Sequence, residues 1–250
     1  IAQVKSAERG ISVTTCYFIG AHGVVIPAVM IFPRKYYESN MALNAFPGTL
    51  GLANSKGYMT KETFVDVMKH FVKCPNSSKE NPTILLIDNV ETHLSANAIN
   101  FAQENGVTLS TFPPHCTHKL QPLDVGIFGP FKSYYDNVIY NWMMNNPGVP
   151  VTIYHVAGFM QEALSKAAIP VNIIASFEKP GIYPFNRSVF QDTDYIMSTV
   201  TVQLNPNVRA NNPNGSENLR ETVTTSAPET SETVIATAIT NTNDSLISPS

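Results

Sequence analysis

The stretch TFPPHCTHKLQPLDV, residues 111–125, holds His115, Cys116, His118, Lys119 and Asp124 among three prolines. Pro113, Pro114 and Pro122 each lack an N–H and push the preceding residue out of the α region, which breaks any smooth helix across it. Stiff loops with several ionisable groups are more often sites than spacers. A second acid, Asp88, closes the apolar run PTILLID 36 positions before Asp124. Two bare carboxylates meet at one point only when a cation or a proton joins them. Hard oxygen ligands with no thiolate or imidazole partner favour Mg²⁺ or Mn²⁺, and such sites clamp a phosphate and activate water or a hydroxyl for in-line attack. Asp88 has a plainer alternative as a strand-end carboxylate capping the next turn. His115, Cys116 and His118 lack a fourth ligand at zinc spacing. His93 reads as no more than a polar residue near the Ser95 cap. Lys119 reads either as a solvated charge or as a phosphate contact.

The flanking elements must bring the two acids together. Residues 82–88 are apolar on both faces, which predicts a central strand covered by helices. Residues 95–106 follow as a helix capped by Ser95 and stopped by Gly106, and VTLSTF (107–112) is a second strand. Strand, helix and strand within thirty residues form a βαβ unit with parallel strands. Both strands then end at one sheet edge, where ligands gather in α/β proteins. Upstream, ISVTTCYFIG (11–20) and VVIPAVMIF (24–32) predict a hairpin, with Pro27 marking an edge or a bulge. Residues 33–58 read as irregular. Residues 60–73 predict an amphipathic helix behind a Thr60 cap, through Phe64, Val67, Met68, Phe71 and Val72. A long helix is expected over 128–144, its Phe128-to-Trp142 stripe read as core, with shorter helices near 151–166 and 170–178.

The charge is uneven. Residues 1–190 carry 14 Lys and Arg against 12 Asp and Glu, whereas residues 191–250 carry 2 against 7. The net −3 argues against wholesale polyanion binding and hides a slightly basic body with an acidic tail. Residues 198–250 contain 17 Ser and Thr and no aromatic residue, a composition that predicts disorder. Cys16, Cys74 and Cys116 form no disulfide framework, which fits a reducing compartment. No apolar run is long enough for a membrane span. The chain opens at Ile1 on a strand-like stretch and reads as a fragment.

With these residues in view, the blocks ILLIDNVETHLS, FPPHCTHKLQPLDVGIFGPFKSYY and KPGIYPFNRSVF resemble the DDE endonuclease domain of pogo/Tigger-type transposases. That family includes domesticated relatives such as jerky and centromere protein B. SAERGISVTTCYFIGAHGVVIPAVMIFPRK fits the opening hairpin of that domain, and the likeness runs over about residues 3–192. The resemblance implies an α/β, ribonuclease-H-like fold, a mixed five-stranded sheet flanked by helices. It places an N-terminally truncated endonuclease domain at 1–192, its first strand missing or truncated, before a disordered tail at 193–250. It also implies an acidic triad binding two Mg²⁺ or Mn²⁺ ions. Asp88 maps to the second acid and Asp124 to the third, with Asn89, His93, His115, His118 and Lys119 as candidates for contact with DNA. The first acid is expected on a strand upstream of Ile1, so the two-metal site is expected to be incomplete within these residues. Val90 stands where the family commonly has His, and the family's helix-turn-helix region has no counterpart here. DNA as partner, a nuclear location and a homo-oligomer are the matching expectations.

Two functions compete on these residues. One is a transposase catalytic domain that hydrolyses a DNA phosphodiester and transfers the freed 3′-OH to a target. The other is a domesticated DNA-binding or chromatin scaffold, with a non-functional remnant of a mobile element beyond it. Asp88 and Asp124 favour the first; Val90 and the absent first acid favour the second.

Overall fold

A computed structural model describes residues 12–113, 116–190 and 233–241. β1 (Thr14–Gly20) and β2 (Val24–Pro33) form the expected antiparallel hairpin, closed by Gly23 at φ +86. Alternation along β1 sends Tyr17 and Ile19 to one core and Cys16 and Phe18 to the other, so both faces of the strand are covered. The pairing steps from Cys16↔Val29 to Phe18↔Ile26, which leaves one extra residue in β2 around Pro27. Proline cannot donate to a ladder, and the bulge is how the strand accommodates it.

β3 (Leu50–Asn54) pairs in parallel with β2 and forms one sheet edge, inside a region whose sequence predicted no regular structure. α1 (Lys61–Lys73) starts at a Thr60–Thr63 capping box and buries Phe64, Val67, Met68 and Phe71. Each of these side chains contributes at most about 1.5–3 kcal/mol of apolar burial. β4 (Thr83–Ile87), α2 (Ala96–Glu104) and β5 (Val107–Thr111) make the predicted parallel βαβ unit, in register from Thr83↔Val107 to Ile87↔Thr111. Gly106 ends α2 at φ +68, and a Cβ there would run into the Ser78 carbonyl, so only glycine fits this turn.

The crowded loop contains more helix than its prolines predict. α3 (Thr117–Leu120) is a single turn, and a π-helical turn at Leu123–Ile127 feeds directly into α4 (Phe128–Asn145). α5 (Ile153–Ala167) and α6 (Pro170–Glu178) complete the helices. α4, α5 and α6 cover the Tyr17/Ile19 face of the sheet, while α1 and α2 cover the Phe18/Leu85 face.

The sheet is mixed, helices flank it on both faces, and the arrangement is ribonuclease-H-like. It has six strands rather than five, in the order β3-β2-β1-β6-β4-β5. The added strand, β6 (Thr233–Asn241), comes from the tail expected to be disordered. It lies between the two halves of the sheet, antiparallel to β1 from Thr14↔Asn241 to Gly20↔Ile235 and parallel to β4 from Thr83↔Thr233 to Leu86↔Ala236. The expectation of disorder from residue 198 onward is therefore corrected for 233–241. The remainder of that tail lies outside the described residues. The physical reason is nonlocal: β1 and β4 do not pair with each other, and each would otherwise leave an open row of backbone donors and acceptors at the centre of the fold.

Candidate active site

Asp88 stands one residue past β4, where the alternation that sends Leu86 toward α4–α6 sends it the same way. Its carboxylate is partly exposed, at 27%, and is approached from behind by His93. His93 lies on a 3-10 turn, Glu91–His93, just before the Ser95 cap of α2. The turn folds the imidazole back, so that Nδ1 lies 2.6 Å from Asp88 Oδ1. The approach is close but off the line of an N–H bond, since Nδ1 has no well-directed hydrogen-bond partner. The ring stacks on Phe64 with centroids 4.6 Å apart, and Lys61 Nζ meets Glu91 Oε1 at 2.6 Å, so α1 holds this turn at two points.

Asp124 is delivered from the other direction. Leu123 and Ile127, both fully buried, pin the π-helical turn to the core, and Gly126 lets α6 approach so closely that a Cβ would lie 2.7 Å from Ser176 Cβ. π-helical turns recur at functional sites because the extra residue re-aims a side chain. Burial pushes the Asp124 carboxyl above its ordinary value, the charge of Asp88 pushes it further, and His118 pulls it back. The charge of Asp88 thus reaches the Asp124 carboxyl from a separate element, as does that of His118.

The other sequence candidates divide by exposure. Asn89, His118 and Lys119 are exposed around this edge. His93 is 3% exposed, packed between Phe64 and Asp88, and it touches the carboxylate. His115 lies outside the described residues. Sequence reasoning passed over Tyr58 and Thr14, which share with Asp88, Val90, Thr92 and His93 a cavity of about 290 Å³. No spacing signal links Tyr58 to Asp88; only the fold brings them together. A larger cleft of about 550 Å³, with Trp142, His155 and Glu162 in its wall, shares no residue with this one and brings no pair of acids together.

Asp88 and Asp124 suit a hard divalent cation in kind; burial first, and then the charge of Asp88, raise the Asp124 carboxyl, and a cation would offset both. Among the described residues, no group of three or more His, Cys, Asp or Glu gathers into a metal cluster. Mg²⁺ needs no such cage, because it keeps several waters and is held through one or two carboxylates plus substrate phosphates.

A family model for DDE superfamily endonucleases matches residues 10–176, which contain β1 to β5, both acids and α4. The chain belongs to the DDE superfamily endonucleases. As a family, these endonucleases use divalent metal and take DNA as substrate. A curated protein of Cochliobolus lunatus, named as the MFS-type transporter clz9, is 28% identical to this DDE superfamily chain over 203 residues, 80% of its length. Those residues make up 21% of that protein, so the chain spans about a fifth of the relative's length. Among the described residues, no helix is long and apolar enough to cross a membrane. No solved structure matches the chain.

Proposed function

We propose that this domain binds DNA at the edge formed by the ends of β4 and β5 and supports divalent-metal-dependent cleavage of its phosphodiester backbone. Asp88 and Asp124 are the metal-holding carboxylates. The observation that carries the reading is the family match across both acids, with Asp88 at a strand end and Asp124 on a buried π-helical turn. A divalent ion held there supplies Lewis-acid polarisation of a phosphoryl oxygen and a nucleophile at neutral pH.

The chain's own residues do the positioning. His93 backs the Asp88 carboxylate from the buried side, at Oδ1. Asp124 contributes the opposing carboxylate from a turn fixed by Leu123 and Ile127. Lys119, exposed on α3, meets a phosphate, while His118 favours the charged form of Asp124. A nuclear location belongs to this reading.

The test is binding of a fluorescent DNA to the chain with Mn²⁺ and with EDTA, followed by analysis of the same samples for strand breaks. Mn²⁺ is expected to tighten binding about tenfold through a carboxylate–ion–phosphate contact. Asp88→Asn is expected to erase that gain without weakening metal-free binding, since it removes a charge that repels the phosphate, and any EDTA-sensitive nicking should disappear with it. Equal binding in Mn²⁺ and EDTA would overturn the proposal, as would nicking that persists in Asp88→Asn.

A further inference from the structure

We propose that the turn from Asn54 to Tyr58 is a nucleotide-binding element in which Tyr58 stacks on an unpaired base and Lys56 contacts the neighbouring phosphate. This rests on the reading that the domain acts on DNA, and it adds the form of DNA received beside Asp88.

The turn is built to hold its shape. Gly57 N donates to Asn54 O at 3.1 Å and to Asn54 Oδ1 at 2.7 Å, and Asn54 Nδ2 donates back to Tyr58 O at 2.7 Å. From the sheet, Thr14 Oγ1 donates to Gly57 O at 2.6 Å in a buried contact. Gly57 sits at φ +70, and a Cβ would come within 2.9 Å of both Pro33 Cβ and the Ser12 carbonyl. The turn is thereby pressed against β1 and β2, and Thr60 starts α1 immediately after it. A side chain on such a turn has a fixed origin, which is what preorganised recognition requires.

What the turn presents is an aromatic ring and a cation. Tyr58 is 51% exposed and lines the cavity that contains Asp88. The same cavity has Met59 and the exposed Val90 in its wall, giving an apolar surface next to a carboxylate. A single exposed tyrosine needs no explanation by itself. A tyrosine, an apolar wall and a carboxylate around one cavity, with an exposed Lys56 two residues from the tyrosine, match the requirements of single-stranded nucleic acid. A base inside a duplex is stacked on its neighbours and offers no free face to Tyr58. The ligand is an unpaired nucleotide next to the phosphate that Asp88 addresses.

The experiment uses the 250-residue chain with a single-stranded oligonucleotide carrying 2-aminopurine, and a duplex of the same sequence as comparison. Wild type is expected to change 2-aminopurine emission on binding. Tyr58→Ala should abolish that change and weaken single-strand binding about 5- to 150-fold, with duplex binding unaltered. Tyr58→Trp should preserve both, and Lys56→Ala should reduce the salt slope of single-strand binding by about 0.7. Unchanged single-strand affinity and emission in Tyr58→Ala would overturn the inference while leaving duplex binding, and with it the broader DNA reading, standing. If wild type binds neither form, both fall together.

Discussion

Asp124→Asn is expected to make the metal-free protein more stable at neutral pH. Burial, and then the charge of Asp88, raise the Asp124 carboxyl above its ordinary value, so ionising it is harder in the folded chain than in the unfolded one. Below the ordinary carboxylate range the group is protonated in both states and costs nothing. As pH rises from that range through the folded value, the unfolded chain ionises more readily and stability is lost; above the folded value the loss is complete. Asn carries no charge, so the variant should melt above wild type at pH 7 and alongside it at the acidic end of that window. Added Mn²⁺ should stabilise wild type by mass action and leave the variant unmoved. Thermal melts over pH 3–7, with and without Mn²⁺, check both halves. A variant that melts below wild type at neutral pH, or that gains as much from Mn²⁺, would show that Asp124 serves packing rather than the site.

Removing β6 should be far more damaging. A chain ended before Thr233 loses the ladders to both β1 and β4, and several backbone hydrogen bonds at about 0.5–1.5 kcal/mol each exceed ~3 kcal/mol in total. For a domain of this size that corresponds to a fall in melting temperature of about 10 °C. Thr237→Pro tests the same point without truncation: Thr237 pairs with Phe18 inside the sheet, and proline cannot donate there. Amide exchange should be slow across 233–241 in the intact chain. Melting unchanged by both alterations, with fast exchange, would contradict the central place of this strand.

The sequence was legible where the signal was local. The hairpin, the Pro27 bulge, α1 behind Thr60 and the βαβ unit all follow from side-chain periodicity and turn chemistry within about ten residues. β3 escaped because LGLAN carries neither β-branched side chains nor an apolar alternation, and its strand conformation depends on pairing with β2. β6 escaped for the opposite reason. TVIATAITN is a fair strand sequence, but it lies in a Ser-, Thr- and Asn-rich stretch, and its pairing seat is formed by β4, 150 positions away, and β1, more than two hundred away.

The site divides the same way. Asp88 at a strand end and Asp124 at the end of a stiff loop were visible as acids that could converge. The role of His93 was not, because a five-residue offset from Asp88 means nothing until a 3-10 turn folds the ring onto Phe64 and back toward the carboxylate. Tyr58 gave no signal either, since its nearness to Asp88 depends on how the Asn54 turn is fastened to β1.

The ion itself is the most direct witness. Mn²⁺ titrated into the 250-residue chain and followed by electron paramagnetic resonance reports the free ion without relying on cleavage. One weakly held ion per chain is expected, with that binding lost in both Asp88→Asn and Asp124→Asn. Wild type that leaves all the Mn²⁺ free, or Asn variants that bind it as wild type does, would contradict the assignment of these two carboxylates as the metal-holding pair.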